Sequence, residues 1–321
     1  MDWREWIERI ASIPAPAGGE AARAQEISRI IETAADEIAS DAMGNLIVRR
    51  RGTRPEKLML SAHLDQPGMI ITFAEPDGML RFSALGKAEP LALINTEMVF
   101  GEVRGVVTAP AGIALDSIKC SDLMLDIGAS DREEAMRLLP PGSAGCPAGI
   151  LRRRGSRVMA PAIGTSICAA LLCSLAERKP LYDTYFVFTA QSGLGARGAK
   201  TAAFAIEPDF CVEVAPAAEN STFHRGGGVG IQVSNRCALS HPRMVRALAD
   251  AAAKAGQRVQ LLAAQPSASD LFMMQSAGSG AFAAGISLAV AHLDTVAECA
   301  DLRDAEAVKQ SLCALLDMEI D

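Results

Sequence analysis

An α/β fold built on a largely parallel sheet, interrupted once by a mainly β insertion, is what this sequence predicts. Three observations carry the prediction. Helix-like and strand-like segments alternate toward both ends of the chain. From about Gly68 to Val158 that alternation gives way to short strand-like pieces punctuated by Gly and Pro. The chain has 321 residues, 50% of them hydrophobic, which suits two domains or one large domain with an insertion. The expected division puts residues 1–67 and 159–321 in the α/β domain and 68–158 in the inserted domain.

The elements follow in chain order. Trp3, Trp6, Ile7 and Ile10 recur at helical spacing, and Asp2 is placed to cap that helix. A Pro/Gly-rich break follows at 14–19, and Ile27, Ile30, Ile31, Ala34 and Ile38 then trace a second amphipathic helix. Residues 45–48 and 58–62 are short apolar runs that suit buried strands. Within the insertion, 69–73 and 97–107 read as strands and 131–139 as the one helix. After Pro161 the alternation resumes, with helices expected over 165–177, 195–206, 242–254, 270–277 and 304–316. Strands are expected over 184–190, 210–214, 259–263 and 286–290.

Composition excludes several classes. A net charge of -7 argues against nucleic acid as the main partner. No apolar stretch reaches the ~20 residues of a membrane span, and the first ten residues hold no apolar signal core. The eight cysteines contain no Cys-x-x-Cys pair and several sit in apolar runs, such as Cys211. They read as small core residues in a reducing compartment, so a soluble cytoplasmic protein is expected. Histidine is scarce: His63, His224, His241 and His292 are all there are. A metal here would have to lean on carboxylates.

Open α/β sheets place ligands beyond the carboxyl ends of their strands. His63 and Asp65 end one predicted strand, and Gln191, Ser192 and Gly193 end another. Glu213 lies on a third, and a fourth runs into His292 and Asp294. The turn Ile163-Gly164-Thr165-Ser166 opens a helix. It suits either a helix cap or an anion held by backbone N–H groups. An imidazole on a metal needs its second nitrogen held by an acceptor, which a His-x-Asp can supply. The same pair also reads as a hydrogen-bonded structural histidine. Ser192 lacks the flanking glycines of a nucleophile elbow. His224 heads a Gly-rich turn without a following Gly-Lys-Ser/Thr. His241-Pro242 reads as a helix entry, and Met273-Met274 as core packing.

The segment Ser61-Ala62-His63-Leu64-Asp65-Gln66-Pro67-Gly68 resembles the metal-binding strand of the glutamyl aminopeptidase family. These are co-catalytic zinc exopeptidases that include the tetrahedral aminopeptidases, and some members carry an endoglucanase label. Asp41-Ala42-Met43-Gly44-Asn45-Leu46, Asp126-Ile127-Gly128-Ala129-Ser130, Gln191 to Ala199 and Glu298 to Asp304 resemble further family stretches in consistent order. The resemblance runs from about Trp6 to Leu316. It implies a zinc-exopeptidase-like three-layer α/β domain with an inserted β domain of the dimerisation type.

Position by position, the resemblance implies a dismantled metal centre. The first histidine is kept as His63, with its orienting Asp65. Gly164 stands where the family has a bridging aspartate, Ser192 at the general base and Gly193 at the adjacent ligand glutamate. Glu213 replaces an aspartate ligand, Asp294 a late histidine, and Gln66 the glutamate after His-x-Asp. Two dications about 3.5–4 Å apart need a bridging anion, and a metal-bound water needs a base of suitable pKa. Gly164, Ser192 and Gly193 supply neither. The remnant ligand set is His63, Glu213 and Asp294. The expectation is a non-catalytic homologue with a peptide-binding, structural or regulatory role. No cofactor is expected, and at most one weakly bound zinc or similar divalent ion. The alternatives are a rebuilt single-metal hydrolase on His63 and Glu213, or a serine hydrolase on Ser192. The resemblance further implies a homo-oligomer, dimeric or dodecamer-like, or a mixed complex with an active relative.

Overall fold

The structure, a computed structural model, describes residues 2–112, 114, 116–263 and 269–321. Met1, at the head of the expected first domain, and residues 113 and 115 of the insertion lie outside them.

The chain opens with α1 (Trp3–Ala11) and α2 (Ala21–Ile31). Asp2 accepts from the Arg4 amide and caps α1, which buries Trp3, Trp6, Ile7 and Ile10. α2 stops at Ile31, short of the expected Ile38. Ile38 lies instead on β1 (Glu37–Ser40), where pairing with β2 (Leu46–Arg50) satisfies the backbone that a longer helix would have used. β3 (Arg54–His63) follows.

The insertion then begins. β4 (Gly68–Ala74), β5 (Leu80–Leu85), the one-turn α3 (Pro90–Leu93), β6 (Glu97–Phe100), β7 (Val103–Thr108), β8 (Met124–Asp126), α4 (Arg132–Leu138) and β9 (Ala144–Pro147) succeed one another. Its six strands close into a barrel in the order β4-β5-β8-β7-β6-β9. Closure removes strand edges. Met69, Ile71, Leu80, Phe82, Met98, Phe100 and Leu125 fill a core of its own. β10 (Arg152–Arg154) and β11 (Arg157–Ala160) leave the barrel and pair into the edge of the large sheet.

The second half supplies α5 (Ile163–Ala176), β12 (Tyr182–Thr189), α6 (Arg197–Ile206), β13 (Phe210–Ala218), β14 (Val229–Gln232), α7 (Pro242–Lys254), β15 (Val259–Leu262), α8 (Asp270–Gln275), β16 (Phe282–Ala291), β17 (Glu298–Asp301) and α9 (Leu302–Leu316). The large sheet runs β1-β2-β12-β3-β13-β16-β17-β11-β10, with β14 and β15 branching from β16. β12, β3, β13 and β16 are mutually parallel. Side chains of these strands alternate between two layers. Leu58, Leu60, Val212 and Ala284 pack with α5, α7 and α9. Met59, Cys211 and Ala283 pack with α6 and α8. α5 is apolar on all sides and almost wholly buried, as expected of a helix enclosed by others. The four parallel strands thus end on one rim, beside the N-terminus of α5. All eight cysteines are free thiols, and Cys237 is the exposed one.

Candidate functional site

A cavity of about 770 Å³ lies at this rim. His63, Asp65, Ser192, Gly193, Glu213 and Asp294 all line it, so residues far apart in sequence meet in one place. Thr165, Gln232, Ser269, Met273 and Glu298 join them, and Leu85 to Lys87 from the end of the barrel close one side. Gly164 is buried behind this wall, and the exposed His292 is not a lining residue.

Asp65 organises the mouth. Its Oδ1 accepts from the Ser192 amide at 2.9 Å and its Oδ2 from the Gly193 amide at 2.7 Å. These charge-assisted bonds tie the end of β3 to the loop after β12. Space is tight at Gly193, where a Cβ would stand 3.1 Å from both Asp65 Oδ2 and the Gly86 Cα of the barrel. His63 Nδ1 donates to the Asp65 carbonyl at 3.0 Å, and its Nε2 lies 3.4 Å from Thr165 Oγ1. Burial pulls the imidazole down, but the Asp65 carboxylate outweighs it and raises the pKa to about 9. His63 is therefore a cation at neutral pH, with both ring nitrogens engaged. Burial alone would raise Asp65; His63 and the two amides hold it below the ordinary carboxylate value.

Ser192 Oγ donates to Asp270 Oδ1 at 2.6 Å, and Thr189 Oγ1 donates to Asp270 Oδ2 at 2.5 Å. The Asp270 amide in turn donates to Glu213 Oε1 at 2.7 Å. Burial raises the pKa of Asp270 and pushes Glu213 up to about 7, with the neighbouring Asp270 charge adding to it. Glu213 Oε2 has no hydrogen-bond partner among the described residues. Such a buried orphan costs about 1–3 kcal/mol.

Glu298 holds the opposite wall. It accepts from the Gly164 amide at 3.1 Å and the Asp294 amide at 3.0 Å, and burial lifts it to about 7. Asp294 pairs with another lining residue, its Oδ2 lying 3.4 Å from Lys87 Nζ. Gly164 has no room for a side chain. A Cβ there would meet Pro216 Cβ at 2.5 Å and Val290 Cγ2 at 3.0 Å.

Asp270 and Gln232 carry no sequence signal that marks them out. Asp270 opens a six-residue helix and reads as its first-turn acid. Glu298 enters the sequence reading only as the start of a family stretch, yet it is the buried anchor of two loops. Met274 is core and accepts from Ser61 Oγ, whereas Met273 lines the cavity. His224 lies outside the cavity, and the Gly226 and Gly228 amides of its turn donate to Asp304. His241 caps α7 by accepting from the Arg243 amide. Among the described residues, no group of three or more His, Cys, Asp or Glu is arranged to hold a metal ion. No helix among them is long and apolar enough to cross a membrane.

A family model described as M42 glutamyl aminopeptidase matches residues 44–310. The chain is similar to the lysyl aminopeptidase of Pyrococcus furiosus, at 28% identity over 342 aligned residues covering 99% of this chain and 97% of that one. Among solved structures it resembles an aminopeptidase of the archaeon Desulfurococcus kamchatkensis, with a TM-score of 0.93 at 24% identity, covering 99% and 95% of the two chains. It also resembles the TET1 peptidase of Pyrococcus horikoshii, with a TM-score of 0.88 at 25% identity over 98% and 99%. That peptidase is described as assembling into a tetrahedron or a large octahedral shell.

Proposed function

The chain belongs to the M42 glutamyl aminopeptidase family, and from that premise we propose that it is a non-catalytic member that keeps the ligand cavity without a two-zinc centre. The observation that carries the reading is Gly164. A bridging carboxylate is the element two adjacent dications need, and at this position Pro216 and Val290 occupy even the space of a Cβ. The donors that remain do not fit a metal pair. Of His63, Glu213 and Asp294, both His63 ring nitrogens are engaged by Asp65 and Thr165, Glu213 Oε1 accepts from the Asp270 amide, and Asp294 lies against Lys87. Ser192, where the family's base would stand, donates a hydrogen bond to Asp270.

The same geometry weighs against a serine hydrolase. In the Ser-His-Asp arrangement the serine nucleophile carries an imidazole on its hydroxyl. Here the hydroxyl is on a carboxylate, and the His63 ring is committed to Asp65 and Thr165. We further propose that the chain assembles with copies of itself, as the P. horikoshii peptidase is described to do. Sedimentation at the monomer mass across concentrations would count against that.

The test is turnover of an aminoacyl-nitroanilide panel with added zinc, cobalt or manganese, alongside labelling by a fluorophosphonate probe. The reading predicts neither hydrolysis nor labelling. Metal-dependent hydrolysis lost in His63→Ala would overturn it, as would labelling lost in Ser192→Ala.

A further inference from the structure

Of the eight cysteines, Cys237 is the exposed thiol; five others are buried and two half-buried. Burial raises Cys120, Cys146, Cys173 and Cys313 above the ordinary thiol value, which keeps these sulfurs protonated and unreactive. Cys237 also lines the cavity, as does its neighbour Arg236. A short hairpin extending β14 carries the thiol on its tip. The Ser240 amide donates to the Val233 carbonyl, and the Asn235 amide to the Ala238 carbonyl. Asn235 Oδ1 accepts from the Cys237 and Ala238 amides, at 2.9 and 2.7 Å, and its Nδ2 donates to Ser269 Oγ at 2.9 Å. The tip is thus pinned to the residue that precedes α8.

Gln232 stands at the base of the same hairpin. It is 6% exposed, lines the cavity, and its Nε2 has no hydrogen-bond partner among the described residues. Ile231 on the same strand belongs to the core layer under α5, α7 and α9, so alternation turns Gln232 to the cavity side. That unanswered donor suits a carbonyl. Three residues of extended chain separate Gln232 from Asn235 at the tip, roughly 10 Å. A ligand that bonds to the thiol and also reaches the Gln232 amide must have the length of a small peptide. Arg236 at the tip offers a guanidinium to a carboxylate on such a ligand. At about 770 Å³ the cavity has room for it.

We propose that Cys237 is a thiol–disulfide exchange site for a low-molecular-weight peptide disulfide bearing carboxylates, and that the mixed disulfide fills the cavity. The Cys237 thiol loses its proton, and the thiolate attacks one sulfur of the disulfide. A new S–S bond forms to Cys237, the original S–S bond breaks, and the departing thiolate takes up the proton. Cys237 is oxidised and the departing half is reduced, with no further reactant. In the product a ligand carbonyl accepts from Gln232 Nε2 and a ligand carboxylate pairs with Arg236. Excess small thiol reverses the step. The site does not depend on the non-catalytic reading: hydrolysis by the unmodified chain would break that reading and leave the thiol site standing.

The experiment incubates the full chain with glutathione disulfide at neutral pH and follows adducts by intact mass, with peptide mapping to locate them. Two further probes are bis(2-hydroxyethyl) disulfide, which has neither carbonyl nor carboxylate, and cystamine, which is cationic. Each rate is referred to that of the same chain unfolded in urea. One adduct per chain is expected, at Cys237, and none in Cys237→Ser. Folding is expected to favour glutathione disulfide at least tenfold over either other probe. Gln232→Leu and Arg236→Ala are each expected to cut that preference threefold or more. The probe series needs no variant, so a misfolded mutant cannot rescue the idea. Adducts spread over other cysteines, or the same relative probe rates in the folded and unfolded chain, would overturn it and leave Cys237 a merely exposed thiol.

Discussion

Two regions near the same rim, a loop and the cavity floor, are built on opposite principles. The loop from Asp41 to Asn45 is closed on itself. Asp41 Oδ1 accepts from the Met43 and Asn45 amides, at 2.9 and 3.0 Å. Asn45 donates to Asp41 and to the Gly198 carbonyl, and accepts from the Ala190 amide. The Asp41 and Asn45 side chains are fully engaged there, and the result braces the segment that carries Ser192. The cavity floor above it is open. Among the described residues, Glu213 Oε2 and Gln232 Nε2 have no close hydrogen-bond partner, and the space at Gly164 is filled by Pro216 and Val290. A self-satisfied loop constrains its own sequence whatever the protein binds. A site is constrained only by what it holds, so its residues can change while the brace stays.

The largest expected effect tests the brace. Asn45→Ala leaves the Ala190 amide without its partner in a fully buried place and cuts the bonds to Asp41 and to the Gly198 carbonyl, which keeps only Thr201 Oγ1. A loss of about 3 kcal/mol in denaturant unfolding is expected. A loss below about 1 kcal/mol would mean that water replaces the side chain and that the brace is not what sets this loop.

Gly164→Ala comes next. Its methyl group collides with Pro216, so stability falls by about 2 kcal/mol. Gly164→Asp is expected to fall further and to recover no metal-dependent activity. Recovery would place the cavity closer to a working centre than its packing implies.

The pH profile sharpens the contrast at Asp65. His63 sits at about 9 in the folded chain against an ordinary 6.5. Its contribution to stability is complete below pH 6.5 and is lost as pH rises toward 9. Asp65→Asn removes the charge that holds the proton, so burial draws the imidazole down and that alkaline slope disappears. Imidazole titration by NMR in the two proteins checks both parts. Ser192→Ala is the smallest change. It costs about 1 kcal/mol through the bond to Asp270 and leaves turnover on any peptide substrate unchanged at background.

The fold was legible because its signals are local or periodic. The Pro242 helix entry, the apolar α5 and the strand ending in His63 each announce themselves in a few residues. The meeting of His63, Ser192, Glu213 and Asp294 followed from the rule that parallel strands end on one side. Glu37 to Ser40 was harder, since an exposed edge strand beside a helix has no period of its own. β14 was missed because Val229-Gly230-Ile231-Gln232 is short and glycine-broken, and Gln232 went with it. Asp270 was missed because a helix-opening acid usually faces solvent. Here the helix is tucked against β13 and β16, and the same acid is turned inward on Ser192 and Thr189.

The central claim is that the cavity has no two-zinc centre. Its most direct test is the zinc content of protein purified without chelator, measured by plasma mass spectrometry after dialysis against micromolar free zinc. The account predicts well under one zinc per chain, unchanged in His63→Ala. Two zinc ions per chain, both lost in His63→Ala, would contradict it.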